Sequence, residues 1–186
     1  MATLTREEIV AEIEIPEHIT ATLENNMIII KGKLGTLKKD IRKLPATIKV
    51  DGTRIIIKPY GTRKKDLAIT NTARTIFGNM IKGVENGFTY RLKIVFAHFP
   101  IAVKTIGRDV HVQNFFGERS ARVSHIVGDK TKVIVSGEDV VVQGPSLEDV
   151  SQTAANIESS TKIKGKDQRV FLDGLYIYAR ENGLNN

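Results

Sequence analysis

The sequence predicts an α+β protein of two duplicated domains, each an antiparallel-rich sheet packed against one main helix. Three observations carry that prediction. Short alternating or continuous apolar runs are separated by turn residues, and in two places the apolar period lengthens to that of a helix. The same order of strands followed by a helix then recurs in the second half of the chain.

In the first half, Val10–Ile15 alternates and stops at Pro16, and Ile19–Glu24 alternates again. Asn25-Asn26 turns the chain into Met27–Ile30, a continuous apolar run suited to a buried strand. The segment from Gly32 to Gly35 reads as a loop leading into Thr36–Arg42. Ile48–Val50 and Arg54–Lys58 then flank Asp51-Gly52, a hairpin signal. After Pro59-Tyr60-Gly61 the period changes: Leu67, Ile69, Ala73, Ile76, Phe77, Met80 and Ile81 recur at helical spacing, and Gly87 lies past the end.

The second half repeats the plan. Phe88–Phe96 is a long strand closed by His98-Phe99-Pro100, followed by strands at Ala102–Ile106, Asp109–Gln113, Ser120–Ser124, Lys132–Ser136 and Asp139–Gln143. Ser146-Leu147-Glu148-Asp149 has capping-box form and opens a helix whose apolar side is Val150, Ala154 and Ile157. Tyr176-Ile177-Tyr178 reads as a closing strand. The stretch from Ile69 to Ile76 aligns with that from Val150 to Ile157 at an offset of 81 residues, and Gly35 aligns with Gly117 at 82. Duplication explains the shared element order better than chance likeness between amphipathic helices. The expected division is an N-terminal domain over residues 1–86, a C-terminal domain over 87–180 and a flexible tail over 181–186.

Composition narrows the function classes. The chain has 186 residues, 41% of them hydrophobic and 26% charged, ordinary values for a folding chain. It has no run of about 18 apolar residues that could span a membrane, and the N-terminal stretch, Met1 to Glu8, has no apolar signal core. The absence of cysteine removes disulfides, thiolate zinc sites and cysteine nucleophiles, and it fits a cytosolic compartment. Lysine and arginine total 28 against 21 acids, a net charge of +7, and the pI near 9.6 favours polyanionic partners. The charge is clustered. Lys31, Lys33, Lys38, Lys39, Arg42 and Lys43 surround one acid, Asp40; a second cluster is Arg63-Lys64-Lys65; a third is Lys162, Lys164, Lys166 and Arg169 with Asp167. An isolated cluster of this kind is ordinarily a solvated face. Three in one chain point to phosphate contact, the salt-sensitive part of RNA affinity.

Catalytic groupings are missing. His18, His98, His111 and His125 are scattered, with no partner at metal-ligand spacing. An S-x-x-K at Ser159–Lys162 lacks the companion motifs of the enzymes that use it. Gly32-Lys33-Leu34-Gly35 has the letters of a GXXG RNA-binding loop, yet it joins strands where that loop joins helices. No catalytic residue, metal site or cofactor is expected. The segment after the second helix remains: Lys162, Lys164 and Lys166 alternate around Gly165, which lets backbone approach a phosphate, and Arg169 can make a bidentate contact. On residues alone three classes stay open: an RNA-binding structural protein, an enzyme on a phosphorylated or acidic substrate, and a protein-interaction module.

The stretch from Lys164 to Gly174, KGKDQRVFLDG, resembles the C-terminal signature of the large-subunit ribosomal protein L-six family in its archaeal and eukaryotic form. Asn86-Gly87-Phe88, Ala97-His98-Phe99-Pro100-Ile101 and Asn114-Phe115-Phe116-Gly117-Glu118 agree, and the resemblance covers nearly the whole chain apart from residues 181–186. Where bacterial relatives carry a tyrosine-containing signature ahead of the Lys-Gly-Lys, this chain has Ile157–Ile163, so bacterial contacts do not transfer. The resemblance implies a non-enzymatic, cytoplasmic, ribosome-bound protein. It implies binding to large-subunit rRNA mainly through the C-terminal domain, near the sarcin–ricin loop and the stalk base. Neighbouring ribosomal proteins and nearby translational GTPases are the other implied partners. Carried over by residue, the implied RNA contacts are Lys162, Lys164, Gly165, Lys166, Gln168 and Arg169, with Arg119 and Arg122 beside Gly117 as further candidates. Asp167 is read as orienting neighbouring basic side chains or accepting from a ribose hydroxyl.

Overall fold

The structure is a computed structural model and describes residues 10–167 and 169–184. The chain divides into two compact units between Glu85 and Asn86. Among the described residues no helix is long and apolar enough to cross a membrane.

The first unit runs β1 (Ala11–Glu14), β2 (Thr20–Glu24), β3 (Met27–Gly32), β4 (Gly35–Asp40), β5 (Ala46–Asp51), β6 (Arg54–Pro59) and α1 (Lys64–Glu85). Its strands form two three-stranded sheets, in the orders β1-β6-β5 and β2-β3-β4. Alternation decides which faces turn inward. Ile28 and Ile30 of β3 and Ile55 and Ile57 of β6 are fully buried, and Ala73, Phe77 and Val84 of α1 close over them. Each such isoleucine or phenylalanine contributes about 1.5–3 kcal/mol by leaving water. Asn25 and Asn26 both take positive φ, 46° and 62°, as a type I′ hairpin between β2 and β3 requires.

The second unit repeats this order: β7 (Phe88–Val95), β8 (Ala102–Ile106), β9 (Asp109–Gln113), β10 (Arg122–His125), β11 (Lys132–Ser136), β12 (Asp139–Gly144) and α2 (Leu147–Ser160), with β13 (Gly174–Asn182) added. The sheets are β11-β12-β7-β13 and β10-β9-β8. Strand for strand, β7-β12-β11 reproduces β1-β6-β5, and β8-β9-β10 reproduces β2-β3-β4. The extra strand β13 occupies the far edge of β7, covering it from Val95 to Phe88. Val150, Ala154 and Ile157 of α2 are fully buried against Leu92, Val140, Val142 and Leu175. Ser146 caps α2, its side-chain oxygen accepting from the Asp149 amide at 3.3 Å.

The structure departs from the expectations in five places. Each unit carries two sheets rather than one. Leu67 is 48% exposed, because the buried stripe of α1 runs Asp66, Thr70, Ala73, Phe77 and one residue of helix rotates Leu67 away from it. The hairpin turn falls on Gly52-Thr53, one residue later, since Asp51 pairs with Arg54 as the last rung. The strand expected at Ser120–Ser124 begins at Arg122, after a single 3-10 turn at Phe115–Gly117. Finally, the tail does not begin at 181. Glu181 and Asn182 continue β13 opposite Thr89 and Phe88, and the Gly183 amide donates to the Gly87 carbonyl at 2.8 Å. Asn185 and Asn186 lie outside the described residues.

Candidate nucleic-acid interface

The third basic cluster lies on the loop that joins α2 to β13, and that loop is fixed at its base. The Thr161 hydroxyl donates to the Glu158 carbonyl at 3.1 Å and accepts from the Leu175 amide at 3.0 Å. The Glu158 carboxylate accepts from the Ile177 amide at 3.0 Å. At the far end, the buried Asp173 accepts from the Ala97 amide at 3.3 Å. Inside the loop, the Asp167 carbonyl accepts from the amides of Val170 and Phe171 at 3.1 and 3.0 Å, closing a tight turn.

Held this way, the loop presents Lys162, Lys164, Gly165, Lys166 and Arg169 as exposed residues. Gln168 lies outside the described residues. Gly165 has φ +70° with open space where a side chain would be, so its backbone is approachable from solvent. Asp167 receives Nε and Nη2 of Arg169 at 3.1 and 3.0 Å and the Arg169 amide at 3.0 Å. The hydrogen bonds from Arg169 hold the Asp167 carboxyl below its usual range and raise the guanidinium pKa. Asp167 therefore orients a basic neighbour, one of the two roles expected of it.

Arg122 and Arg119 differ sharply. Arg119 is exposed. Arg122 is half-buried and fully engaged: Nε and Nη2 donate to Glu118 at 2.9 and 2.6 Å, Nη1 donates to the Ser160 carbonyl at 3.0 Å, and the guanidinium lies 4.1 Å from the Phe115 ring centroid. The hydrogen bonds from Arg122 lower the Glu118 pKa. Arg122 thus ties the end of α2 to the 3-10 turn.

That turn is the feature the sequence reading missed. Asn114, Phe116 and Gly117 all have positive φ, 61°, 52° and 73°. Phe115 turns into the core while Phe116 stays partly exposed. The Asn114 side chain anchors the turn by donating to the Pro100 carbonyl at 3.0 Å. Phe116 meets Phe171 of the basic loop edge-on, centroids 5.9 Å apart. Lys166 Nζ lies 5.0 Å from the Phe171 centroid and 5.7 Å from that of Phe116. The signal was present in the sequence: two phenylalanines before a glycine, and another in a basic loop.

The other clusters are placed differently. In the first unit Lys31, Lys33, Lys38 and Lys43 are exposed, and Arg42 closes on Asp40, with Nη2 2.6 Å from the carboxylate. The Arg42 hydrogen bonds pull the Asp40 pKa down to about 2. Arg63, Lys64 and Lys65 sit exposed where α1 begins. The histidines do not converge. His18 pairs with Glu85 at 3.1 Å, His125 with Asp109, and His98 packs edge-on against Phe99. Among the described residues no group of three or more histidine, cysteine or acidic side chains could hold a metal ion.

Known proteins resemble the chain along most of its length. The family model described as ribosomal protein L6 matches residues 15–87 and 99–174, the first segment lying almost wholly in the first unit and the second within the second. A large ribosomal subunit protein uL6 from Methanosphaera stadtmanae is 46% identical over 89% of this chain and 90% of its own length. Its counterparts from Staphylothermus marinus (41% identical over 90% of this chain and 92% of theirs) and Saccharolobus solfataricus (42%, over 91% and 94%) are similar to it as well. With both duplicated units matched and identities of this size across nearly the full length, the chain belongs to the ribosomal protein L6 family.

Proposed function

We propose that this protein is a structural, non-catalytic component of the large ribosomal subunit that binds large-subunit rRNA mainly through its second unit. Membership of the family supports the ribosomal role, in the company of rRNA and neighbouring ribosomal proteins. One observation carries the choice of surface. The α2–β13 loop is pinned at both ends by Thr161, Glu158 and Asp173, yet turns Lys162, Lys164, Lys166 and Arg169 to solvent. A loop ordered before binding loses less conformational entropy when it docks. Its cations neutralise phosphates without reading sequence.

In this reading Lys162, Lys164, Lys166 and Arg169 contact phosphates, and Gly165 lets the backbone close on the RNA. Arg119 adds a further cation, while Arg122 acts as the brace behind the loop. The location follows the family resemblance: close to the sarcin–ricin loop and the stalk base, where translational GTPases dock.

The test is binding of the full chain to a large-subunit rRNA transcript across a salt series, with Lys164, Lys166 and Arg169 replaced together by alanine. The expected result is weaker binding and a salt slope reduced by about two to three ions. Alanine at Lys31, Lys33 and Lys38 is the comparison and is expected to leave the slope near that of the parent. Unchanged affinity and slope in the loop variant overturns the assignment of the loop.

A further inference from the structure

Phosphate neutralisation does not account for the aromatic side chains that the second unit leaves among its cations. Phe171 is 39% exposed on the basic loop, and Phe116 stands beside it on a neighbouring turn. Packing on the core accounts for Phe116 only in part. Its ring is only partly covered, although the backbone beneath it adopts φ +52°, a conformation bulky residues rarely occupy. The Asn114–Pro100 bond and the positive φ of Gly117 hold that conformation. The result is a half-buried ring that packs on both the core and Phe171, while its neighbour Phe115 is buried in the core.

We propose that Phe171, backed by Phe116, is a stacking platform for one unpaired nucleobase of the bound RNA, and that Lys166 moves from the rings to the adjacent phosphate as the base arrives. The inference rests on the RNA-binding reading above and deepens it. In the free protein Lys166 lies over both rings, 5.0 Å from the Phe171 centroid. An exposed cation–π contact is weaker than stacking of a base on an aromatic ring, so exchanging the two is favourable. The displaced ammonium then meets a phosphate, a stronger partner than the ring. Lys164 and Arg169 precede Phe171 on the same exposed loop, so a nucleotide there meets charge for its phosphate and a π-surface for its base. An RNA duplex keeps its bases stacked inside, and only a loop, bulge or end can supply the unpaired base.

The experiment uses the full chain and a large-subunit rRNA transcript, with Phe171→Ala, Phe171→Leu and Phe171→Trp beside the triple lysine–arginine variant. Thermal unfolding of each variant first establishes that the fold is intact, as the exposure of Phe171 leads one to expect. Stacking predicts that Ala and Leu weaken binding roughly tenfold or more with the salt slope unchanged, and that Trp restores it. It also predicts that one unpaired base protected from chemical modification by the parent protein becomes reactive with the Ala and Leu variants. Retained affinity in Phe171→Leu reduces the contact to apolar packing and overturns the platform. If the triple variant loses affinity while all Phe171 variants bind and protect as the parent does, the platform falls and the loop assignment stands. If neither set changes binding, both fall.

Discussion

The guanidinium of Arg122 lies 4.1 Å from the centroid of the Phe115 ring, so one charged side chain covers a core aromatic and braces the basic loop together. Its fork holds Glu118, and its remaining nitrogen reaches the Ser160 carbonyl. Arg122→Ala uncovers Phe115 and frees the end of α2. The expected loss is about 1–3 kcal/mol, after allowing for the partial exposure of the ion pair. Thermal unfolding should show a Tm lower by several degrees, whereas Arg119→Ala leaves Tm unchanged. Equal Tm values for the parent and Arg122→Ala refute the bracing role.

The same pair makes part of the stability depend on acid. Hydrogen bonds from Arg122 lower the Glu118 pKa, against a smaller opposing effect of burial. A carboxyl with a depressed folded-state pKa favours folding most when ionised. Its contribution is complete above the ordinary value of 4.5 and is lost as the pH falls through the lowered folded value. The Tm gap between parent and Glu118→Gln should therefore be full at neutral pH and close in acid. A gap that persists unchanged to about pH 2 removes Glu118 from the acid response.

Gly117 is the position least open to substitution in the 3-10 turn. Its φ is +73°, and a β-carbon there meets the Phe99 ring at 3.2 Å. Gly107 has a similar φ of +62° with nothing within 4 Å, which separates the two effects. Both alanine variants incur backbone strain of about 1 kcal/mol or more. Only Gly117→Ala must also displace Phe99, so its Tm should fall further than that of Gly107→Ala. A reversed order refutes the close packing of Phe99 on this turn.

Much of this was legible in the sequence because it depends on local pattern. The continuous apolar run Met27–Ile30 marked β3, Asn25-Asn26 gave the hairpin, and Ser146 marked the start of α2. The repeat between Ile69–Ile76 and Val150–Ile157 announced two units, and Ala73 and Ala154 are both fully buried at the matched position. What escaped depends on contacts distant in sequence. The Glu118–Arg122 pair is local, but the contact that makes Arg122 a brace reaches Ser160, 38 residues away, and so was not readable, whereas Arg119 faces solvent. Phe116 and Phe171 come together only because β13 returns beside β7 and draws the loop across the 3-10 turn. Leu67 looked like a core residue because it opens the apolar series that continues to Ile81, but Asp66 is the residue in phase with Thr70, Ala73 and Phe77, and it accepts from the Arg63 amide at 2.9 Å.

The end of β13 gives the last prediction, since residues 181–183 belong to the sheet. Glu181 pairs with Arg91 at 3.2 Å, the Thr89 hydroxyl donates to the Gly183 carbonyl at 2.6 Å, and the Gly183 amide closes on Gly87. Ending the chain after Arg180 removes all three and bares the β7 edge at Thr89 and Phe88. The half-exposed ion pair contributes little. The two hydrogen bonds and the lost rungs together should cost about 1–3 kcal/mol, seen as a lower Tm and faster amide exchange in β7. Ending the chain after Asp173 removes the whole strand and uncovers Leu92 and Ile94, which pair with Ile177 and Leu175. An unpaired strand of that length is a template for other chains, so this variant should elute as an oligomer or precipitate. A soluble monomer with the parent Tm after either truncation refutes the structural role assigned to β13.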